Sequence, residues 1–194
     1  MRESAARAIR LLALDVDGVL TDGRIVYSNA GDEQKAFSIK DGLGIKLLQR
    51  AGVEVAIITG RSSRIVERRA AELGINSIIQ GREDKLTALL ELCEVGGLEL
   101  RECAYMGDDL PDLAAIQAAG IGLTVADASV AVLAAADWCS ARKGGDGAVR
   151  EACDALLEAR GQRAALEASF AAATHRSVNE SSASVGPEAE QSDT

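Results

Sequence analysis

The sequence predicts an α/β fold, in which helices flank a parallel β-sheet. The first observation is that short apolar runs rich in β-branched residues recur along the chain. The second is that helix-like segments separate most of these runs, as in strand–helix–strand units whose strands are parallel. The predicted strands cover residues 11–16, 53–58, 75–79, 102–106 and 121–125.

Five helices are predicted between and after these strands, and glycines follow three of them. Ser62 is the expected N-cap of the second helix, because its hydroxyl can accept a hydrogen bond from a free backbone amide. Gly52, Gly74 and Gly120 each follow a helical run and precede a strand, which is the position of a left-handed C-cap residue. The predicted helices cover residues 42–51, 62–73, 83–94, 110–119 and 147–160.

A β-hairpin is predicted directly after the first strand, over about residues 24–37. An isolated hairpin is only marginally stable in water. We therefore expect Ile25, Tyr27 and Phe37 to pack on the mouth of the sheet or on another subunit. The two predicted hairpin strands, on either side of a polar turn, are residues 24–28 and 33–37.

The chain is predicted to contain one domain, residues 1–160, followed by a disordered tail, residues 161–194. The chain has 194 residues and 47% of them are hydrophobic, which is enough for one domain with a core. The last part of the tail is rich in Ser, Glu and Gln and has little apolar surface to bury.

The composition argues against several classes of function. A net charge of −9 argues against nucleic acid as a partner, because phosphate backbones are bound by clustered Lys and Arg. The single His and four scattered Cys offer no zinc site. No apolar stretch reaches the length of about 18 residues that a membrane span needs, and no signal-peptide core precedes the first strand. We therefore expect a cytoplasmic protein without a membrane partner.

The most informative stretch is the acidic motif after the first strand. Asp15 and Asp17 lie two residues apart, and alternate residues of a strand point the same way, so both carboxylates can aim at one point. Gly18 lets the chain turn sharply there. Two like charges this close repel, and a divalent cation between them would keep both ionised. Taken alone, such a motif is more often an acidic turn.

Polar residues also follow the second and third strands, and open parallel sheets bind their ligands at these carboxyl ends. Thr59, Gly60 and Arg61 come before a helix N-terminus that can receive an anion, although Thr-Gly-Arg alone is weak evidence. Lys85 follows the third strand on a first helical turn. For a single Lys, a surface ion pair is the simpler interpretation.

Three carboxylates follow the fourth strand, at Asp108, Asp109 and Asp112. Helix capping explains one of them and does not require all three. Taken together, the four strand ends carry two Asp, a Thr with an Arg, a Lys and an acidic cluster. This combination favours a catalytic site over unrelated capping and surface residues.

These motifs, in this order, resemble the haloacid dehalogenase-like phosphohydrolase superfamily, and the resemblance covers about residues 11–150. It implies a Rossmann-like parallel sheet flanked by helices. Within this superfamily, the chain resembles the 3-deoxy-D-manno-octulosonate 8-phosphate phosphatase family more closely, in the hairpin and in residues 15–23, 37, 40–44, 57–61, 107–112 and 144–151. Members of that family are small, lack a separate cap domain and form homotetramers through their hairpins. The sequence leaves no room for a lid domain here either.

The resemblance implies a role for each acidic residue. Asp15 would be the nucleophile that forms an aspartyl-phosphate, and Asp17 would serve as general acid and then general base. Mg²⁺ would be held by the carboxylates of Asp15 and Asp108 and by the backbone carbonyl of Asp17. Asp109 or Asp112 would orient the metal and its waters.

The resemblance also implies which residues bind the substrate. Thr59, Gly60 and Lys85 would contact the phosphoryl group. Arg61 and, from a neighbouring subunit, Arg150 would contact the carboxylate of a sugar acid, because a guanidinium suits carboxylates.

An equally good alternative is open for Arg150. It can form an ion pair on the surface of its own helix, with Glu151 or Asp154. The loop of residues 144–147 before this helix can likewise be a simple connection.

The implied function is Mg²⁺-dependent hydrolysis of a sugar-acid phosphate, with 3-deoxy-D-manno-octulosonate 8-phosphate as the first candidate, in lipopolysaccharide precursor synthesis. A related ketosugar acid, such as a nonulosonate 9-phosphate, is an alternative, because these substrates differ far from the phosphate. A phospho-accepting receiver uses similar residues, but its Lys comes last, whereas Lys85 precedes Asp108. An inactive scaffold is disfavoured because every expected catalytic side chain is present.

Overall fold

The structure, a computed structural model, describes residues 1–171. Its centre is a six-stranded sheet in which every neighbouring pair is parallel, which confirms the predicted α/β fold. The last strand along the chain, at one edge of the sheet, was not predicted, because it is only two residues long and gives no sequence pattern. From edge to edge, the strands are β5 (Ser77–Ile79), β4 (Glu54–Ile58), β1 (Leu11–Leu14), β6 (Cys103–Met106), β7 (Ile121–Thr124) and β8 (Trp138–Cys139).

The central strand β1 is buried along its whole length, as expected for a parallel strand covered on both faces. At its last residue, Leu14 is in register with Ile57 of β4 and with Met106 of β6. The three strands therefore end at nearly the same level. This register brings the residues that follow them, including Asp15 and Thr59, to one edge of the sheet.

Seven helices bounded within the described chain flank this sheet. The first and sixth were not predicted, because each is only six residues long. A 3₁₀ turn, Leu110–Asp112, opens the predicted fourth helix. The helices are α1 (Glu3–Ala8), α2 (Ile39–Arg50), α3 (Arg64–Leu73), α4 (Lys85–Gly96), α5 (Leu113–Ala118), α6 (Val130–Ala135) and α7 (Ala148–Ala159).

Two of the three glycine C-caps are confirmed, and one is wrong. Gly52 and Gly74 have φ angles of +81° and +72°, in the left-handed region. Gly120 has no positive φ; its amide donates to the Leu100 carbonyl, and a Cβ there would collide with the backbone of Arg101. Gly120 is therefore required for close backbone approach and not for helix termination.

The predicted N-cap of α3 is displaced by one residue. Ser63, not Ser62, caps the helix, and its Oγ accepts a hydrogen bond from the amide of Ile65 at 3.3 Å. The sequence allows either Ser to cap the helix. Ser63 does so because its backbone is extended, which is the conformation that an N-cap residue adopts.

The hairpin is present but shorter than predicted. Its strands are β2 (Val26–Tyr27) and β3 (Glu33–Gln34), which pair antiparallel. Ile25 and Tyr27 are exposed, whereas Phe37 packs against the core and lies 5.8 Å below the guanidinium of Arg69. Packing within the chain is thus confirmed for Phe37, and Tyr27 contacts the side chain of Arg61. Packing of Ile25 and Tyr27 on another subunit stays a prediction.

The chain remains structured beyond the predicted end of the domain. Residues 163–171 are helical, so the prediction of disorder from residue 161 is wrong for this segment. A packing contact explains the difference, since Leu166 of this segment packs against the core. The rest of the predicted tail, 172–194, lies outside the described residues. Across residues 1–171, no helix combines the length and apolarity needed to span a bilayer.

Candidate active site

Asp15 lies at the carboxyl end of β1 and is held in one orientation. Its side chain is buried, with only 6% of the residue exposed. One carboxylate oxygen accepts a hydrogen bond from the amide of Val16 at 2.7 Å, and the other lies 2.9 Å from the Nζ of Lys85. Because Asp15 is the last residue before the chain turns, the strand register fixes where this carboxylate points.

Lys85 is a buried residue of the site, so the surface interpretation is wrong. Only 3% of it is exposed, and its Nζ lies 2.8 Å from Asp112 as well as 2.9 Å from Asp15. Burial alone would lower the pKa of Lys85, but the carboxylates of Asp15 and Asp112 raise it above the ordinary value. The ammonium group is therefore charged and links two carboxylates.

Asp112 is the anchor of this network. Its Oδ1 accepts hydrogen bonds from Lys85 and, at 2.7 Å, from the hydroxyl of Tyr105. Its Oδ2 accepts from the amides of Asp108 and Asp109, at 3.1 and 3.2 Å. Sequence analysis missed Tyr105, because an aromatic residue within a strand carries no signal beyond burial.

Asp109 differs from Asp112 in both partners and position. Its side chain accepts a hydrogen bond from the amide of Leu110 at 2.8 Å and caps the 3₁₀ turn. Asp112 therefore holds more of the surrounding groups in place than Asp109 does, and the orientation of a metal by either residue stays a prediction.

Asp15, Asp108 and Asp112 bring carboxylate oxygens within 4.8 Å of one another, which is close enough to share a cation. Burial, followed by repulsion from neighbouring carboxylates, raises the pKa of both Asp15 and Asp108 to about 7. Gly18 gives Asp108 its space, since a Cβ at that position would collide with its carboxylate. An oxygen-only set of crowded acids fits a hard divalent cation such as Mg²⁺. Asp112 already accepts four hydrogen bonds, so Asp15 and Asp108 have the freer oxygens.

A cleft of about 310 Å³ joins these groups to the other predicted site residues. Thr59 is buried, and its Oγ1 accepts a hydrogen bond from the amide of Arg61 at 3.4 Å. The structure brings together every predicted site residue except Arg150. The residues lining the cleft are Asp15, Asp17, Gly23, Thr59, Gly60, Arg61, Glu83, Lys85, Asp108, Asp109, Pro111 and Asp112.

Arg150 lies away from this cleft in its own chain. Its Nε is 2.9 Å from both carboxylate oxygens of Asp154, one turn along α7. Its backbone amide donates to the buried carboxylate of Asp41 at 2.8 Å. The helix-surface ion pair left open by the sequence is therefore formed, and a contact with a neighbouring subunit stays a prediction.

The glycine-rich loop of residues 144–147 packs on the acidic motif. The amide of Gly145 donates to the carbonyl of Val19 at 3.0 Å. A Cβ on Gly144 would collide with the carbonyl oxygen of Gly18. The loop thus supports the turn that follows Asp17, and is more than a simple connection.

Asp17 has a cationic partner that sequence analysis did not identify. Lys35, just after β3, forms an ion pair with Oδ1 of Asp17, and Arg61 lies 4.0 Å from Oδ2. Lys35 lies two residues before Phe37, so strand alternation places both side chains on the same face of the hairpin. That alternation was the available signal, but it does not identify Asp17 as the partner.

Comparison with known proteins identifies the family of this chain. The haloacid dehalogenase-like hydrolase family model matches residues 75–151. The 3-deoxy-D-manno-octulosonate 8-phosphate phosphatase of Escherichia coli K12 is 47% identical over 157 residues, which cover 81% of this chain and 84% of that protein. The chain belongs to the 3-deoxy-D-manno-octulosonate 8-phosphate phosphatase family. The predicted family is confirmed, and the receiver alternative is excluded.

Solved structures of this family have the same fold. The phosphatase of Moraxella catarrhalis, solved in complex with a magnesium ion, a phosphate ion and a KDO molecule, matches with a TM-score of 0.85 and 50% identity over 87% of this chain and 97% of that one. The cobalt-bound phosphatase of Haemophilus influenzae matches with a TM-score of 0.79 and 42% identity, covering 82% and 93%. Both relatives contain a divalent metal, in agreement with the acidic cluster described above.

The raised pKa values predict how Mg²⁺ stabilises this family member. Without metal, the folded state holds protons on Asp15 and Asp108 up to about pH 7, whereas in the unfolded chain these groups ionise near 3.8. The contribution of these two carboxyl groups to the free energy of unfolding of the metal-free protein should therefore fall as pH rises from about 4 to about 7. Mg²⁺ at about 100 times its Kd adds about 2.7 kcal/mol, or about 5–10 °C in Tm.

Thermal unfolding with and without Mg²⁺ measures this effect. The rise in Tm should be larger at pH 8 than at pH 5, because protons compete with the metal at the lower pH. NaCl at equal ionic strength is the control. Equal shifts at both pH values would contradict the assignment of the metal to these carboxylates.

Proposed function

We propose that this chain is a Mg²⁺-dependent phosphatase that hydrolyses 3-deoxy-D-manno-octulosonate 8-phosphate to the free sugar acid and phosphate. The observation that carries the proposal is the cleft in which a buried Lys85 links Asp15 to Asp112 beside Thr59 and Asp108. Relatives with this name share about half of the sequence, and the Moraxella protein binds magnesium, phosphate and KDO in its solved complex. The proposed setting is lipopolysaccharide precursor synthesis in the cytoplasm.

Asp15 is the proposed nucleophile. Its carboxylate attacks phosphorus, the bond between phosphorus and the sugar oxygen breaks, and an aspartyl-phosphate forms. The fixed orientation of this side chain, held between the amide of Val16 and Lys85, supports the assignment because it removes the entropy cost of aligning the nucleophile.

Asp17 is the proposed proton carrier. In the first step its carboxyl group gives a proton to the departing sugar oxygen. In the second step the resulting carboxylate takes a proton from water, the water oxygen attacks phosphorus, and the bond to Asp15 breaks to release phosphate. Asp15 and the protonated Asp17 are thereby restored.

Thr59, Gly60 and Lys85 are the proposed phosphate ligands. The hydroxyl of Thr59 and the charged Nζ of Lys85 both line the cleft beside Asp15. They would donate hydrogen bonds to the phosphoryl oxygens, where negative charge is spread during transfer. Gly60 leaves the backbone beside Thr59 open to the substrate.

Mg²⁺ would be held by the carboxylates of Asp15 and Asp108 and by the backbone carbonyl of Asp17, with Asp109 and Asp112 orienting the ligands around it. When bound, it would supply positive charge that offsets the repulsion between an anionic nucleophile and the phosphate. Asp112 supports this arrangement because its Oδ2 accepts hydrogen bonds from the backbone amides of Asp108 and Asp109.

Arg61 and Arg150 are the proposed contacts for the outer part of the sugar acid. Arg61 lines the cleft and is 43% exposed in its side chain, so its guanidinium is accessible to a carboxylate. Arg150 would have to come from a neighbouring subunit and exchange its pairing with Asp154 for the substrate.

A phosphate-release screen tests the proposed function. Sugar-acid phosphates, including the 8-phosphate and a nonulosonate 9-phosphate, are compared at equal concentration with Mg²⁺ and with a chelator. The 8-phosphate should be hydrolysed fastest, and chelation should abolish release. A clear preference for the 9-phosphate would transfer the assignment to that alternative, and activity that survives chelation would contradict the metal requirement.

We also propose a homotetramer in which the hairpins meet. The exposed apolar side chains of Ile25 and Val26, each 48% exposed, support this, because such residues on a small hairpin are typical of an interface. Light scattering on the full chain should give about four times the monomer mass, and Ile25→Asp should shift the mass toward the monomer. Ile39→Asp, at another exposed apolar residue, is a control outside the hairpin. An unchanged mass for Ile25→Asp would contradict the proposal.

A further inference from the structure

The side chain of Lys35 is buried, although the residues on either side of it in the chain are exposed. Its neighbours Gln34 and Ala36 are exposed, yet only 1% of the Lys35 side chain is accessible. A buried ammonium group is costly unless it is paired. Its Nζ pairs with Oδ1 of Asp17 and lies 3.5 Å from Oε1 of Glu33.

We propose that Lys35 is a positioning residue that holds the Asp17 carboxyl group in line with the departing sugar oxygen. This inference rests on the proposed phosphatase function and assigns a role to the hairpin within each subunit. A general acid must come within about 2.6–3.2 Å of the atom that it protonates. Misplacement by about 1 Å can cost about 100-fold in rate.

Lys35 is better suited to this role than the other cations near Asp17. Arg61 is 4.0 Å from Oδ2, and its stronger contact is with Glu33 at 3.1 Å. Lys85 is already shared by two other carboxylates. Lys35 is therefore the cation with the closest contact to Asp17 among those in the described chain.

The hairpin delivers this cation from outside the sheet. Asp17 follows the central strand, whereas Lys35 lies beyond β3, so their contact depends on how the hairpin docks. Phe37, two residues further on, packs against the core and fixes this docking. The hairpin thus has an inner side that orients the proton carrier, in addition to its exposed apolar side.

Two substrates with different leaving groups can distinguish positioning of the acid from other roles of Lys35. A sugar alkoxide is strongly basic and leaves only if Asp17 protonates it. A nitrophenolate is weakly basic and leaves without that proton. Loss of acid positioning should therefore slow the first substrate and spare the second, whereas loss of phosphate binding or of folding would slow both.

The experiment measures the first turnover of the full-length enzyme with Mg²⁺, with enzyme in excess over substrate. Release of the sugar acid from its phosphate is followed by chemical quench, and release of nitrophenolate from p-nitrophenyl phosphate by absorbance. Measuring the first turnover avoids the later hydrolysis step, in which Asp17 acts on both substrates. Lys35→Met should slow sugar release about 100-fold and nitrophenolate release less than about threefold. Lys46→Met, at an exposed lysine on α2, is the matched control and should match the parent in both.

Two further variants keep the inference testable. Asp17→Asn should show the same selective loss, and adding Lys35→Met to it should cause no further loss, because Lys35 acts through Asp17. If Lys35→Met does not fold, Lys35→Gln is measured in the same way. Equal losses for both substrates, a change in substrate affinity alone, or additive losses in the double variant would overturn the inference. If the unsubstituted enzyme does not release the sugar acid from its phosphate, that result would contradict the proposed function and not this inference. The losses caused by Lys35→Met would then be compared between p-nitrophenyl phosphate and the alkyl phosphate that is hydrolysed fastest in the phosphate-release screen.

Discussion

Asp15→Asn should lower phosphate release from the sugar phosphate by about a thousandfold or more, as expected when an enzyme loses its nucleophile. The amide has nearly the same shape as the carboxylate but is a poor nucleophile. The backbone contact from Val16 can still be made, because an amide oxygen also accepts hydrogen bonds. Phosphate release per enzyme, with circular dichroism to monitor folding, measures the result.

The same substitution should not destabilise the metal-free protein. Burial and the nearby carboxylates raise the pKa of Asp15 to about 7, so its charged form is unfavourable in the folded state. Asn removes that charge, and Lys85 keeps its pairing with Asp112. Tm without metal should therefore be equal to or higher than that of the parent at pH 8, and the rise caused by Mg²⁺ should be smaller.

Asp22→Asn is a matched control on the same loop, where the side chain is half-exposed. It should leave both activity and Tm close to those of the parent, since its contacts are with neighbouring residues of the loop. Near-normal turnover by Asp15→Asn would refute the assignment of the nucleophile.

Most of the site could be predicted because it combines local motifs with a general property of parallel sheets. The apolar runs locate the strand ends, and parallel topology brings those ends to one edge. Asp15, Thr59 and Asp108 are close together for this reason alone. Their predicted roles came from the resemblance to a known family, so no knowledge of side-chain packing was needed.

The parts that were not predicted depend on packing between distant segments. Lys35 reaches Asp17 only because the hairpin docks on the core, and Tyr105 reaches Asp112 across a strand and a turn. Neither contact is encoded in a spacing or a periodicity. Arg150 is a different case, because the sequence left two interactions open to it and local helix geometry forms the one with Asp154.

Short elements escaped prediction for a different reason. The six-residue helices α1 and α6 are too short for a helical period to stand out from the apolar runs around them. The helical segment 163–171 is Ala-rich, and its stability depends on contacts such as that of Leu166 with the core. Composition alone cannot reveal such contacts.

Lys85→Met should reduce both stability and activity. It removes the ammonium group that is shared by Asp15 and Asp112 while filling similar volume. Leaving buried carboxylates without their partner costs about 3–5 kcal/mol. For a domain of this size that is about 6–20 °C in Tm. Thermal unfolding measures the loss, and Lys46→Met, at an exposed lysine, is the control that should leave Tm unchanged.

The pH dependence of this loss identifies its electrostatic origin. Without Lys85, the two carboxylates can avoid repulsion only by binding protons, so the deficit in Tm should be smaller at pH 5 than at pH 8. Adding Asp112→Asn to Lys85→Met removes one of the unpaired charges and should restore part of the stability at pH 8. Activity should stay low in the double variant, because the cation facing the phosphoryl group is still missing. A Tm deficit that is independent of pH would mean that Lys85 stabilises the fold through its packing and not through its charge.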